Sequence, residues 1–159
     1  EGEDTNEYLP TIEPVGGSFV YNIPESESSK YDSGEKVIDV IITALNSKTI
    51  EHIDVEIDSP ALTEEFMSSM DLGSTKFSIT DFTDSDADQT RKQCLIDLGL
   101  IDADTPIKGK TQHTFKIGGF VSLLFIAASE GQVNNFIVTV TDSEGKKASA
   151  TVTITKIAG

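Results

Sequence analysis

Phe136-Ile-Val-Thr-Val-Thr-Asp142-Ser-Glu-Gly145-Lys-Lys-Ala-Ser-Ala-Thr-Val-Thr-Ile-Thr155 is the stretch on which the fold turns. From Asn135 to Thr141 the chain reads as a strand with Phe136, Val138 and Val140 facing one way. Asp142-Ser143-Glu144-Gly145 has the composition of a tight turn. The chain then returns as Lys147 to Thr155, with Ala148, Ala150, Val152 and Ile154 on one face and Ser149, Thr151, Thr153 and Thr155 on the other. Slipping either strand by one residue would expose its whole apolar set, so the pattern predicts an antiparallel hairpin of defined register.

The same period recurs upstream. Lys36 to Ala44 carries Ile38, Val40, Ile42 and Ala44 on one face, and Ile50 to Asp58 sets Ile53, Val55 and Ile57 against Asp54, Glu56 and Asp58. A strand with charges along one side belongs to an antiparallel sheet with one wet face. Pro10 and Pro14 bracket a short extended piece, and Gly16-Gly17 turn into Ser18–Ile23, where Phe19, Tyr21 and Ile23 share a face before Pro24 closes the strand. Glu25 to Gly34 reads as a polar loop, Lys76 to Thr80 as a brief strand and Thr111 to Ile117 as a longer one.

Two helices interrupt the strands. Thr63 can cap a short helix running to Met70, with Leu62 and Met67 as its hydrophobic staple and Gly73 as its stop. Ser85 caps a second over Asp86–Leu98, with Asp88 three residues on, Gly99 ending it, and Ala87, Arg91, Cys94, Leu95 and Leu98 on one side. Gly119 to Ser129 reads as a short apolar helix or crossover. About seven strands with two or three short helical insertions close a core most simply as two packed antiparallel sheets, so the fold class is mostly β, an immunoglobulin-like antiparallel β-sandwich. No period of ~20–50 residues recurs, which excludes a repeat array.

The 159 residues suit one domain able to bury a core without disulfides or metal. Hydrophobic residues form 37% of the chain and aromatics 7%, with no Trp, so that core is mostly aliphatic. Glu1-Gly2-Glu3-Asp4-Thr5-Asn6-Glu7 has nothing apolar to offset its ordering entropy; residues 1–8 are expected to be a flexible acidic leader, and 9–159 the domain. A net charge of −15 would repel phosphates, which argues against nucleic acid and against anionic membrane surfaces as partners. The longest apolar stretch, Phe120–Ala128, is far short of the ~20 residues of a membrane-spanning helix. No signal peptide is present, so an exported protein would already have lost it.

The terminal hairpin resembles the last hairpin of PKD-type and related immunoglobulin-like bacterial modules. The middle narrows the resemblance: Val55-Glu-Ile-Asp-Ser-Pro60-Ala-Leu-Thr63, the helix ending Leu98-Gly99, and Lys108-Gly-Lys-Thr111 leading into Phe115-Lys-Ile117 and Leu123-Leu124. Together these are similar to the N-terminal domains of uncharacterised Bacteroidetes surface lipoproteins, over roughly Thr11 to Ile157. The resemblance implies an exported, non-enzymatic module at the outer membrane or cell surface of a Gram-negative bacterium, anchored through a lipid on a cysteine that is absent here. It carries no catalytic residues to transfer.

The sharpest candidate site is the acidic cluster Asp81, Asp84, Asp86 and Asp88, because calcium takes several carboxylate oxygens from one loop. Read as an EF-hand loop from Asp84, it puts Gln89 where glycine is needed and Leu95 where a bidentate glutamate is needed. Acids at a helix start also complement the positive end of its dipole, and that is the preferred reading. Asp142 and Glu144 read as ordinary turn residues. His52 and His113 sit in strands at positions expected to be half-exposed, without a metal-ligand partner at short spacing. No Gly-x-Ser-x-Gly elbow accompanies them, and Gly16-Gly17 and Gly118-Gly119 lack the Lys and Ser/Thr of a phosphate loop. Cys94, the single cysteine, is expected to be a buried structural thiol. Without Trp, only Tyr8, Tyr21 and Tyr31 could form stacking platforms for a sugar, and Tyr21 is a candidate for the core.

The functional expectation is a non-catalytic surface module, a spacer or protein-contact domain, with no cofactor. Its partners are expected among neighbouring domains or surface proteins. The alternative is a glycan-binding or calcium-stabilised adhesin-type module.

Overall fold

The computed structural model describes residues 9–14, 19–33, 35–36, 38–69, 72, 74–101, 107–117, 124 and 128–158. Among these residues eight strands fall into two sheets. The three-stranded sheet is built from β1 (Thr11–Pro14), β3 (Asp39–Thr43) and β6 (Gln112–Lys116), in the order β1-β3-β6. The five-stranded sheet takes β2 (Val20–Pro24), β8 (Lys147–Ile157), β7 (Val133–Asp142), β4 (Ile50–Asp58) and β5 (Lys76–Ser78), in that order. Helix α1 (Ser28–Ser33) follows a single 3-10 turn, α2 (Glu64–Ser69) links β4 to β5, and α3 (Asp86–Leu98) links β5 to β6. The fold is mostly β, a sandwich of two sheets, in keeping with the strand periodicity.

The alternating residues meet in the core. Val40 and Ile42 of β3, Ile53, Val55 and Ile57 of β4, Phe136, Val138 and Val140 of β7, and Val152 and Ile154 of β8 are all buried, joined by Ile23, Ile38 and Ile117. Each such side chain contributes roughly 1.5–3 kcal/mol by leaving water. The terminal hairpin has the expected register, with Phe136 opposite Val152 and Val140 opposite Ala148. Its turn closes through Gly145 N–H to Asp142 O at 2.9 Å, and Gly145 takes φ 85°, a left-handed conformation that favours glycine.

Both helix caps lie where the sequence puts them. Thr63 Oγ1 accepts from Phe66 N–H at 3.2 Å, and Leu62 and Met67 are both buried, as a staple requires. Ser85 accepts from Asp88 N–H, and Gly99 closes α3 with φ 90°.

Several details differ from the expectations. One sheet is mixed: β2 runs parallel to β8, at the edge of the five-stranded sheet. Within the segment read as a polar loop, Glu25–Glu27 and Ser28–Ser33 are helical. Short helices with almost no apolar face give no periodic signal. On α3 the expected side faces inward, with Leu95 buried and Arg91, Cys94 and Leu98 half-buried, while Ala87 at its start is exposed. The leader 1–8, the glycines at 16, 17, 73, 118 and 119, and most of the segment 119–129 lie outside the described residues; within that segment Leu124 is helical and buried, and Ala128 is buried.

Candidate functional site

Polar side chains of β4, β5 and two loops converge at one end of the sandwich. A β-bulge prepares the place. Ile50 stands opposite Asp142 and His52 opposite Thr141, so Glu51 is an extra residue in β4. Strict alternation from Ile53 would turn Glu51 into the core; the bulge buries Ile50 instead and leaves Glu51 exposed and His52 half-exposed. The spacing of three between Ile50 and Ile53, where a strand wants two or four, is the sequence signal of this irregularity.

Asp81 is the hub. Its Oδ2 lies 2.7 Å from His52 Nδ1 and accepts from Thr80 Oγ1 at 2.9 Å and Ser78 Oγ at 3.2 Å, while Oδ1 pairs with Lys108 Nζ at 2.6 Å. Lys108 is delivered by a turn bound to β4 on both sides: Gly109 N–H donates to Ile50 O at 3.0 Å, and Ile50 N–H donates to Lys110 O at 2.8 Å. On the other flank, Ile79 N–H donates to Ile53 O and Ile53 N–H to Thr80 Oγ1. Burial pulls the Asp81 carboxyl upward, but the bonds from Lys108, His52 and Thr80 outweigh it and hold the acid well below the usual carboxylate range. The same contact raises Lys108. Because β4 and β5 belong to the five-stranded sheet and Lys108 leads into β6, Asp81 cross-links the two sheets.

Helix α3 docks on this corner through Arg91. One guanidinium nitrogen donates to Asp81 O at 3.3 Å, another pairs with Asp88 Oδ1 at 3.0 Å, and the guanidinium carbon lies 4.9 Å from the centre of the Phe82 ring. Asp88 Oδ2 accepts from both N–H and Oγ1 of Thr83 at 2.8 Å, and these bonds hold its acid below the ordinary value.

The four aspartates singled out from sequence are therefore divided. Asp81 turns to His52 and Lys108, Asp88 turns to Thr83 and Arg91, and Asp84 and Asp86 are exposed. Among the described residues no three His, Cys, Asp or Glu side chains stand close enough together to hold a metal ion. Nor does the hub form a nucleophile relay. Such a relay sets carboxylate and hydroxyl on opposite nitrogens of the imidazole, whereas Ser78 and His52 Nδ1 both contact Asp81 Oδ2.

His113 departs from its expectation: it is buried, with Nε2 3.0 Å from Leu100 O, because β6 turns it inward onto the loop after α3. Cys94 is half-buried, not buried, and lines a groove with Ser69, Gln93 and Asp97. Tyr21 and Tyr31 pack against the core, and burial pushes the Tyr21 hydroxyl up; Tyr8 lies outside the described residues.

The ion pair that sequence reading passed over is at the terminal turn. Asp142 is buried, its Oδ2 pairs with the equally buried Lys48 Nζ at 2.9 Å, and its Oδ1 accepts from Glu144 N–H and Lys146 N–H at 2.9 Å each. Read locally, Asp142 is an ordinary turn residue.

No family model matches the chain, and no curated protein matches it. Among solved structures, a bacterial immunoglobulin-like domain from the M. primoryensis ice-binding adhesin is similar, at 14% identity over 94% of this chain and 96% of that one, with a TM-score of 0.28. Among the described residues no helix is long and apolar enough to cross a membrane.

Proposed function

We propose that residues 9–159 form a non-catalytic contact module of an exported protein, held at the surface of a Gram-negative bacterium through a lipid anchor and engaging a neighbouring domain or surface protein. The observation that carries the non-catalytic part is the geometry of the hub: Ser78, His52, Thr80 and Lys108 all spend their polar groups on one carboxylate, which ties two sheets together. Reaction chemistry needs a nucleophile aimed at a substrate and a base aimed at the nucleophile. Here both point inward to the same acid. The lipoprotein setting rests on the resemblance of the hairpin and of the segments around Val55–Thr63 and Lys108–Ile117.

A panel of ester, glycoside and peptide substrates, run beside a glycan array, tests the reading. Turnover abolished by Asp81→Asn, or glycan binding tighter than about 100 μM, roughly −5.5 kcal/mol, would replace it with an enzyme or a lectin. A stable complex in a pull-down with neighbouring domains of the same polypeptide supports a contact module, and failure to retain any partner reduces the domain to a spacer.

A further inference from the structure

Strand β6 ends the three-stranded sheet, and its free side is readable bond by bond. Ala44 N–H donates to Thr111 O at 2.8 Å and Ile117 N–H donates to Ile38 O at 2.8 Å. With the register of Ile42 opposite His113 and Val40 opposite Phe115, alternate residues of β6 bond to β3, and the N–H and C=O groups of Gln112, Thr114 and Lys116 turn the other way. Among the described residues no strand pairs with that side. A groove lined by Asp39, Lys110, Gln112, His113, Thr114 and Lys116 runs along it. In a chain of net charge −15, Lys110 and Lys116 stand here outside every ion pair made by the described residues. Lys116 ends β6, and Lys110, in the turn that leads into it, lines the same groove.

We propose that the free edge of β6 receives an extended acidic segment of a partner protein as an added strand. This rests on the contact-module reading and names its surface. Backbone groups of Gln112, Thr114 and Lys116 supply the ladder, which any extended peptide can use. Selection comes from the lysines, which favour carboxylates near the two ends of the added strand and disfavour a basic strand. Asp39, opposite Lys116, offsets part of that lysine's charge, so Lys110 carries the larger share of the attraction.

The probe is a synthetic nine-residue peptide of alternating Thr and Val with Glu at its second and eighth positions, beside the same peptide with Lys there. Binding is followed by titration, and by amide exchange of the folded protein. The proposal expects the acidic peptide to bind, the basic one to bind at least about tenfold more weakly, and new protection at the amides of Gln112, Thr114 and Lys116. Binding should weaken as salt is raised. The double variant Lys110→Glu/Lys116→Glu, which changes only exposed or half-exposed side chains, should reverse the preference. Thr114→Pro, which removes one outward N–H at an edge where proline is tolerated, should abolish binding of either peptide. Equal binding of the two peptides, or protection at β5 or β2 instead, would overturn the assignment while leaving a contact module intact. Self-association relieved by Thr114→Pro would make the occupant a second copy. Self-association of the Lys→Glu variant without peptide binding would show that the lysines only guard the edge.

Discussion

Replacing Asp142 should cost more stability than any other single change of charge in the described structure. The Lys48–Asp142 pair is 2.9 Å long, with side chains 6% and 0% exposed. Removing one partner of a pair so deeply buried strands the other, at roughly 3–5 kcal/mol. Asp142→Asn keeps an acceptor for Glu144 N–H and Lys146 N–H and deletes the charge, so the lower end applies, about 3 kcal/mol. Asp142→Ala also releases the two backbone donors, at about 1 kcal/mol each, for a total near 5. In a domain of this size each kcal/mol moves the melting temperature by about 2–4 °C, so the two variants should melt roughly 6–12 and 10–20 °C below wild type. The sign with pH follows from the direction of the shift. Burial raises the Asp142 carboxyl, but Lys48 and the N–H groups of Lys146 and Glu144 prevail and hold it below its ordinary value. Its contribution is therefore complete above the unfolded carboxylate value, near pH 4, and is lost as pH falls through the folded one. Urea melts of wild type, Asp142→Asn, Lys48→Met and the double variant at pH 7 form a cycle that subtracts what Lys48 does elsewhere. A coupling below about 0.5 kcal/mol, or Asp142→Asn within that margin of wild type, would refute the argument.

The hub at Asp81 is more exposed, so Asp81→Asn should destabilise by only about 1–2 kcal/mol at pH 7, with the difference from wild type shrinking as pH falls below about 4, since the unfolded acid takes up a proton there while the folded one stays ionised; parallel denaturant melts at pH 7 and pH 3 check it. Gly99→Ala should cost about 1–2 kcal/mol from the left-handed backbone alone, because the added methyl would meet Lys116 Cβ at 3.7 Å, an ordinary contact; a neutral result in thermal melts would mean that the turn relaxes. Millimolar calcium should leave the melting temperature almost unchanged, because Asp81 and Asp88 already hold Lys108 and Arg91. A site saturated a hundredfold would add about 2.7 kcal/mol, readable as a rise of several degrees that EDTA reverses. Cys94, half-buried beside Gln93 and Asp97, should react with a thiol reagent in the folded state more slowly than in denaturant yet to completion, and full protection would bury it.

What the sequence determined by itself is whatever depends on neighbours along the chain. Alternation placed Ile53, Val55 and Ile57 inside, the terminal hairpin has the register its apolar set demands, and Thr63, Ser85 and Gly99 cap the helices expected of them. A strand's period and a cap's hydrogen bond reach only a few residues, so they are written locally. What only the tertiary structure decided joins residues far apart. Lys48 meets Asp142 and His52 meets Asp81 across the assembled sheets, and no spacing rule encodes either contact. The parallel placing of β2 and the inward turn of His113 are likewise settled by which faces remain to be covered once the sheets close. Burial makes Asp142 a matter of several kcal/mol while Asp84, in an equally acidic stretch, stays on the surface. That difference comes from the dielectric around each carboxylate, which the folded chain creates and the sequence alone does not display.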